Sequence, residues 1–303
     1  MHGQYDSILV GGSGFVGTRL GVHLAGKGER VLSLSRHQPE KPMRGVEFAK
    51  IDFGNQEEVA SFILPRTDSL VILIGQIGPG FDPEADRRAL QMVIDLANAQ
   101  ASPMKVLYCS TALVYGDCET PARESDSPRP IEPYAKHKLE NEAFLRECLA
   151  VQHHLGILRL ANVFGELRSR GFVSLVMNRL LVSSLEAFRI NGDGNQRRDY
   201  IFVDNLVEAI AAVKAGLNGQ DTVNISSGES RTLLSVIDSI QSVCGKKFPF
   251  EITHQPMEEA KNILVSNEHL REVYGYAPQL AFNGSLARMW QQALAKKTSL
   301  DTH

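Results

Sequence analysis

The 303-residue chain has no apolar run long enough to cross a bilayer. Its longest, Leu70 to Ile74 and Ile157 to Val163, are far shorter than a membrane helix requires. Cysteine is scarce as well. Cys109, Cys118, Cys148 and Cys244 show neither C-x-x-C nor zinc-ligand spacing, and a chain of this length needs no disulfide staples, so free thiols are expected. Charge of one sign is missing too: 32 basic against 35 acidic residues give a net charge of -3, which leaves no electrostatic footprint for nucleic acid or an anionic membrane. The nine histidines are scattered, with His153-His154 at the polar end of an expected helix, and no metal site is predicted. Met1-His2-Gly3 runs straight into an apolar strand without room for a signal peptide, so a cytoplasmic location is the expectation. No internal repeat or low-complexity linker divides the chain.

What is present begins with Val10-Gly11-Gly12-Ser13-Gly14-Phe15-Val16-Gly17, between the apolar run Ser7 to Val10 and an amphipathic run from Thr18 to Lys27. Gly11, Gly14 and Gly17 follow a G-x-x-G-x-x-G spacing. In a strand-to-helix turn, such glycines permit a sharp bend, close approach of backbone N–H groups to a pyrophosphate, and tight helix–strand packing. With Phe15 and Val16 they form the expected cofactor seat; the alternative is a turn glycine-rich for geometry alone.

The run Arg30 to Leu34 reads as a second parallel strand. An acid at its end would accept from the adenine ribose hydroxyls and favour NAD. This chain has Ser35-Arg36. A hydroxyl beside a guanidinium suits a 2′-phosphate, so NADP(H) is favoured, with NAD(H) the alternative cofactor and a solvated surface Arg the plain reading of Arg36. Val46 to Asp52 gives a third strand; Asp52 serves either as an acceptor for the adenine amino group or as the cap of a helix beginning near Gln56. A fourth strand, Ser69 to Ile74, runs into the flexible loop Gly75 to Gly80, a helix is expected over 83–99 behind Asp82-Pro83, and Lys105 to Cys109 forms a fifth strand leading into Ser110-Thr111. The alternation of strands and helices calls for an α/β fold with a Rossmann-type doubly wound parallel sheet.

After the proline-rich loop 120–133, a helix is expected from Tyr134 to about His153. Tyr134 and Lys138 are four apart and share one face. As isolated residues they would be ordinary solvated side chains. Together with the glycine turn, the Ser110-Thr111 strand end before Val114-Tyr115-Gly116, Leu158 to Gly165, Asn191 to Asp204 and Val223 to Glu229, they resemble the extended short-chain dehydrogenase/reductase family, specifically the NAD-dependent epimerase/dehydratase enzymes that modify nucleotide sugars. The resemblance spans most of the chain. It implies Tyr134 as acid/base, Lys138 as its activator and a holder of the nicotinamide ribose, and Thr111 as hydrogen-bond partner of the reacting oxygen. A free tyrosine is poorly matched to proton transfer at neutral pH, and a cation one turn away favours the phenolate. The resemblance also implies that Asn162, read as the end of a sixth strand, and Arg198 contact the substrate diphosphate, and that the chain pairs as a homodimer through helices 83–100 and 134–153. Asp199 is read equally as a buried acid fixing loop backbone or as a substrate ligand, and Asp204 as the cap of a helix over 205–217.

Some positions depart from the family pattern. Ala112 and Leu113 stand where sugar dehydratases carry an acid or an acid/base pair, which disfavours water elimination. A second phosphate-binding Arg is absent from 253–266, and Arg87-Arg88 replace an expected Asn. The family layout implies a dinucleotide domain over 1–166 plus 197–225, interleaved with a smaller substrate domain over 167–196 plus 226–303, the site lying between them. The resulting expectation is an NAD(P)-dependent oxidoreductase, a nucleotide 4-keto-sugar reductase in the first instance. The alternatives are a nucleotide-sugar 4-epimerase, a reductase of a non-sugar carbonyl, or a non-catalytic NADP-binding sensor or scaffold.

Overall fold

A computed structural model of the chain describes residues 3–75, 80–169, 171–182, 187–255 and 260–301. Most of the expected loop after the fourth strand, Gln76 to Pro79, therefore lies outside the described residues, as does 256–259 within the region read for a second arginine.

The first half alternates as its apolar runs dictate. In order come β1 (Tyr5–Val10), α1 (Phe15–Gly26), β2 (Val31–Ser35), β3 (Val46–Lys50), α2 (Gln56–Ala60), β4 (Thr67–Ile72), α3 (Pro83–Asn98) and β5 (Lys105–Thr111). A 3₁₀ turn over Ala112–Tyr115 follows, then α4 (Pro133–Cys148), β6 (His154–Leu160) and β7 (Asn162–Phe164). The remainder is α5 (Phe172–Val182), β8 (Phe188–Ile190), β9 (Arg197–Phe202), α6 (Val203–Gly216), β10 (Gln220–Ile225), β11 (Ser230–Thr232), α7 (Leu233–Cys244), β12 (Phe250–Ile252), β13 (Asn262–Ile263), α8 (Glu268–Tyr274) and α9 (Phe282–Asp301).

Seven strands form one parallel sheet in the order β10-β6-β5-β4-β1-β2-β3. The expected doubly wound sheet is present. Its strand order reverses between β1 and β4, and at such a switch point the loops leaving the carboxyl ends diverge and open a crevice. Alternate residues of β1 feed opposite layers. Ile8 and Val10 join Leu90, Val93 and Ile94 of α3 on one face, while Leu9 joins Leu20 and Leu24 of α1 and Leu206 and Ile210 of α6 on the other. A third core, with Val176 and Met177 of α5, Ile237 and Ile240 of α7, and Leu286 and Met289 of α9, gathers around a second sheet of β11, β9 and β13 to which β7 pairs.

Several boundaries differ from expectation. The helix containing Tyr134 stops at Cys148, so His153 and His154 do not end it: His153 is buried in the connection and His154 opens β6. Asn162 does not end the sixth strand. The chain leaves the large sheet at Leu160 and Asn162 starts β7, opposite Tyr200 in the second sheet. The helix expected over 205–217 begins at Val203, with Phe202 at its cap position, so Asp204 is not the cap; its carboxylate lies 2.9 Å from Arg288 and 3.8 Å from Arg19. Asn55, not Asp52, caps α2, its side chain accepting from the N–H groups of Glu57 and Glu58.

At the outer edge of the large sheet, two N–H groups of β10 are already taken: Thr222 N donates to Asp221 Oδ1 at 2.8 Å and Asn224 N to Glu124 Oε1 at 2.8 Å.

Candidate active site

Three segments converge on the crevice. The first is the glycine turn after β1. Gly11 adopts φ of +81°, which favours glycine, and its N–H donates to Leu34 O across the sheet at 2.8 Å. A Cβ on Gly17 would sit 2.6 Å from Gly12 Cα, so the first turn of α1 packs on the loop only because Gly17 lacks a side chain. Gly14 occupies the cap position without a side-chain cap. The opening N–H groups of α1, including those of Phe15 and Val16, have no intrahelical acceptor, which makes this helix end suited to an anion. These residues fit a dinucleotide pyrophosphate.

At the end of β2, Ser35 is buried and its Oγ accepts from Ser13 N at 3.0 Å. The hydroxyl thus supports the glycine turn from below and keeps its own proton to donate. Arg36 is exposed. Lys50, at the end of β3, is the register partner of Ser35 and is also exposed, so two cations flank a strand end that carries no acid. Lys50 was not foreseen, because its partnership with Ser35 exists only in the sheet register. Asp52 turns back on its own loop, Oδ1 accepting from Gly54 N at 2.9 Å.

The second segment is the end of β5. Thr111 is buried and its Oγ1 accepts from Leu113 N at 3.2 Å, starting the 3₁₀ turn and leaving the hydroxyl proton available as a donor. The third is α4, whose inner face is polar: His137, Lys138, Asn141 and Glu142 are all buried along it. Lys138 is 2% exposed. Its Nζ donates to Ile74 O at 3.1 Å, Cys109 O at 3.1 Å and Tyr108 OH at 3.0 Å, filling all three donor positions, and it lies 6.0 Å from the centre of the Tyr134 ring. Lys138 therefore acts on Tyr134 through its field, not through a direct hydrogen bond. Burial pushes the Tyr134 phenol above a tyrosine's ordinary value and the Lys138 charge opposes that rise, while Tyr108, Asp86 and Cys109 add to it. Burial likewise drives the Cys109 thiol up to about 12, which keeps it neutral beside the ammonium.

Behind this face, Glu142 is held by Ser110 Oγ at 2.6 Å and by Arg159 Nη2 at 2.8 Å, and Arg159 Nη1 donates to Tyr115 OH at 2.9 Å. Sequence reading missed Tyr108, Asp86, His137 and Asn141. The last two carried a signal, standing three and seven residues beyond Tyr134 on the same helix face.

Asn162 and Arg198 stand apart from this group. Asn162 Nδ2 donates to Asp199 O at 3.2 Å, and Arg198 reaches the backbone carbonyls of Arg197, Ala260 and Lys261 at 2.8 to 2.9 Å. Among the described residues no hydrogen bond joins either to Thr111, Tyr134 or Lys138. Asp199 is 1% exposed and accepts from Ser227 N, Ser227 Oγ and Gly228 N at 2.8 to 2.9 Å, which makes it the buried clamp of the turn after β10.

The profile of the NAD dependent epimerase/dehydratase family matches residues 7–226. The chain belongs to this family. It thereby stands among the extended short-chain dehydrogenase/reductases, nicotinamide-dependent enzymes that epimerise, dehydrate or reduce nucleotide sugars. The chain is 27% identical, over 93% of each sequence, to dTDP-6-deoxy-L-talose 4-dehydrogenase (NAD(P)(+)) of Kitasatospora kifunensis. It is 26% identical to dTDP-4-dehydro-6-deoxyglucose reductase of Escherichia coli, over 61% of this chain and 60% of that one. The UDP-glucose 4-epimerase of Thermus thermophilus in complex with NAD has the same fold, with a TM-score of 0.84 at 22% identity over 95% of this chain and 98% of that one. The glycine turn after β1 and the segment of α4 that carries Tyr134 and Lys138 both fall within residues 7–226. No helix among the described residues is long and apolar enough to cross a membrane.

Proposed function

We propose that this member of the family is an NADP(H)-using reductase of a nucleotide-linked 4-keto sugar. The observation that carries the reading is the end of β2, where the Ser35 hydroxyl accepts from Ser13 N and Arg36 and Lys50, the register partner of Ser35, stand in place of the acid that would hold an unphosphorylated ribose. A 2′-phosphate suits two cations and a free hydroxyl proton. The likeness to a 4-dehydrogenase using NAD(P)(+) and to a 4-keto reductase supports the same direction.

The glycine turn and the open end of α1 would hold the pyrophosphate, with Ser35 and Arg36 at the ribose end. When bound, the reduced nicotinamide supplies the hydride. Tyr134, whose phenol burial raises above its ordinary value, delivers the proton to the carbonyl oxygen. Thr111, its acceptor side occupied by Leu113 N, donates to that oxygen and holds it for the transfer. Lys138 limits the cost of the phenolate left behind. Asn162 and Arg198 are assigned to the substrate diphosphate, the region 167–196 plus 226–303 to substrate binding, and helices α3 and α4 to a homodimer contact, through half-buried residues such as Ala85 and through Ala89, Met92, Leu96 and Phe144, which also pack on the core of the sheet.

The test is to incubate the purified chain with NADPH and a panel of nucleotide 4-keto sugars, following NADPH absorbance and product mass. One-for-one NADPH oxidation with a product two mass units heavier is expected. Reversible isomerisation without net cofactor use would establish a 4-epimerase instead. Cofactor binding without turnover across the panel would return the sensor and non-sugar readings. Tyr134→Phe is expected to lower kcat by about 10²- to 10⁴-fold with little change in NADPH affinity; full retained turnover would remove Tyr134 from the mechanism.

A further inference from the structure

A buried hydrogen-bonded pair that the proposed reaction does not use lies one layer behind Lys138. Asp86 of α3 and His137 of α4 are 51 residues apart, and His137 Nε2 meets Asp86 Oδ2 at 2.9 Å. Their side chains are only 12% and 6% exposed. Asn141, fully buried, donates from Nδ2 to the same Asp86 oxygen at 3.0 Å and to Tyr108 OH at 3.1 Å. Tyr108 OH in turn accepts from Lys138 Nζ at 3.0 Å. A continuous path of side chains thus runs from the His137 imidazole to the Lys138 ammonium.

The Asn141 amide gives the direction of control. Its Oδ1 is buried without a hydrogen-bond partner, which is unfavourable by itself. Turning the amide over would relieve that oxygen, but would place it against the Asp86 carboxylate. The carboxylate therefore dictates which way the amide faces, and the amide N–H then reaches Tyr108. His137 orients the carboxylate in turn: an ionised carboxylate only accepts and so selects the Nε2–H tautomer, which donates to Asp86 Oδ2 while Asn141 Nδ2 lies 3.1 Å from the same ring nitrogen. Phe81 closes the arrangement from outside, its ring edge-on to both Tyr134 at 5.9 Å and His137 at 5.3 Å.

We propose that Asp86, oriented by His137, is a positioning residue of the Tyr134–Lys138 pair: through Asn141 and Tyr108 it fixes the Lys138 ammonium, and its negative charge tempers the pull of that ammonium on the Tyr134 phenol. The inference rests on the reading of Tyr134 and Lys138 as the proton-transfer pair. The charged and titratable groups acting on Tyr134 are Lys138, Tyr108, Asp86 and Cys109. On the other side of His137, Glu140 lies 4.0 Å from Nδ1 and 3.9 Å from Arg87.

The test reads Tyr134 directly and needs neither cofactor nor substrate. The ionisation of Tyr134 is isolated as the difference in phenolate absorbance between the protein and its Tyr134→Phe variant during an alkaline titration, with circular dichroism followed throughout. Asp86→Asn keeps an acceptor for His137 but removes the charge and frees the Asn141 amide to turn, so Tyr134 is expected to ionise at a pH lower by about half a unit or more. His137→Leu, which removes the orienting donor, is expected to shift Tyr134 as well, and His137→Gln, which keeps a donor, to restore the native titration. An unchanged or upward-shifted Tyr134 titration in folded Asp86→Asn overturns the proposal. A native titration in His137→Leu removes His137 from it. Should Tyr134→Phe retain full turnover while Asp86→Asn still shifts the titration, the proton-transfer reading fails and the coupling stands; the two failures are thereby separated.

Discussion

At the scale of single residues, the cofactor end of the site turns on Arg36. Its guanidinium is exposed, so its value lies in discrimination between two cofactors that differ by one phosphate. Arg36→Ala is expected to weaken NADPH binding by roughly tenfold, about 1.4 kcal/mol, while leaving NADH within about twofold; fluorescence titration with each nucleotide checks this, and equal losses for both would count against a 2′-phosphate contact. Asp199 gives a second prediction, of stability. Burial raises its carboxyl to about 7 against an ordinary 3.8, and the donors from Ser227 and Gly228 oppose the rise. Between those two values the folded chain keeps a proton that the unfolded chain has released, so this group lowers stability as pH rises through the window. Melting temperatures taken from pH 4 to 7 should therefore fall more steeply for the native chain than for Asp199→Asn, whose amide does not titrate; parallel slopes would place the Asp199 carboxyl near its ordinary range.

At the scale of elements, the contact between β1, its turn and α1 has no slack. Gly17→Ala would set a methyl against Gly12 Cα at 2.6 Å, and the expected cost is about 1–3 kcal/mol of unfolding free energy with loss of cofactor affinity, because the end of α1 must retreat from the phosphate position. Denaturant unfolding and nucleotide titration of the same variant measure both. The glycine turn and the strands before and after it were legible in the sequence because fully buried parallel strands are written as apolar runs and because a turn this tight admits few residues besides glycine. The helix α4 was legible only through Tyr134 and Lys138. Its inner stripe, His137, Lys138, Asn141 and Glu142, is polar and buried, so the usual rule that apolar residues mark the inward face gave no guide to its packing or its end. Asn162 was misread for a related reason: the apolar run from Ile157 to Val163 continues through the residue at which the chain passes from one sheet to another, and hydrophobicity does not record which sheet receives a strand. The Asp86–His137 pair was not legible, since nothing in either segment announces the other.

At the scale of the whole molecule, the buried Glu142–Arg159 pair ties α4 to the sheet. Glu142 takes a hydrogen bond from Ser110 of β5, Arg159 belongs to β6 and reaches Tyr115 in the 3₁₀ turn, and Tyr115 OH donates to Asn224 of β10 at 2.7 Å. Three strands and the helix that carries Tyr134 thus share one charged knot. Arg159→Met keeps the volume but strands the Glu142 carboxylate, and about 3–5 kcal/mol of stability should be lost. Chemical denaturation measures that loss; one below about 1 kcal/mol would mean that water or Arg146, whose Nη2 is already 3.7 Å from Glu142, takes over the charge.

The rim of the large sheet bears on how the molecule behaves in a crowd. A parallel sheet ending in an open strand offers a template on which another extended chain can zip, and that is the usual route from a folded protein to an ordered aggregate. In β10 the outward N–H of Thr222 is occupied by the Asp221 carboxylate and that of Asn224 by Glu124. An incoming strand would have to displace two carboxylates to bond these N–H groups, and would meet their repulsion of its own carbonyl oxygens while doing so. The fold thus carries its own stopper against fibril growth at this border, set by two acids that have no part in the chemistry of the crevice.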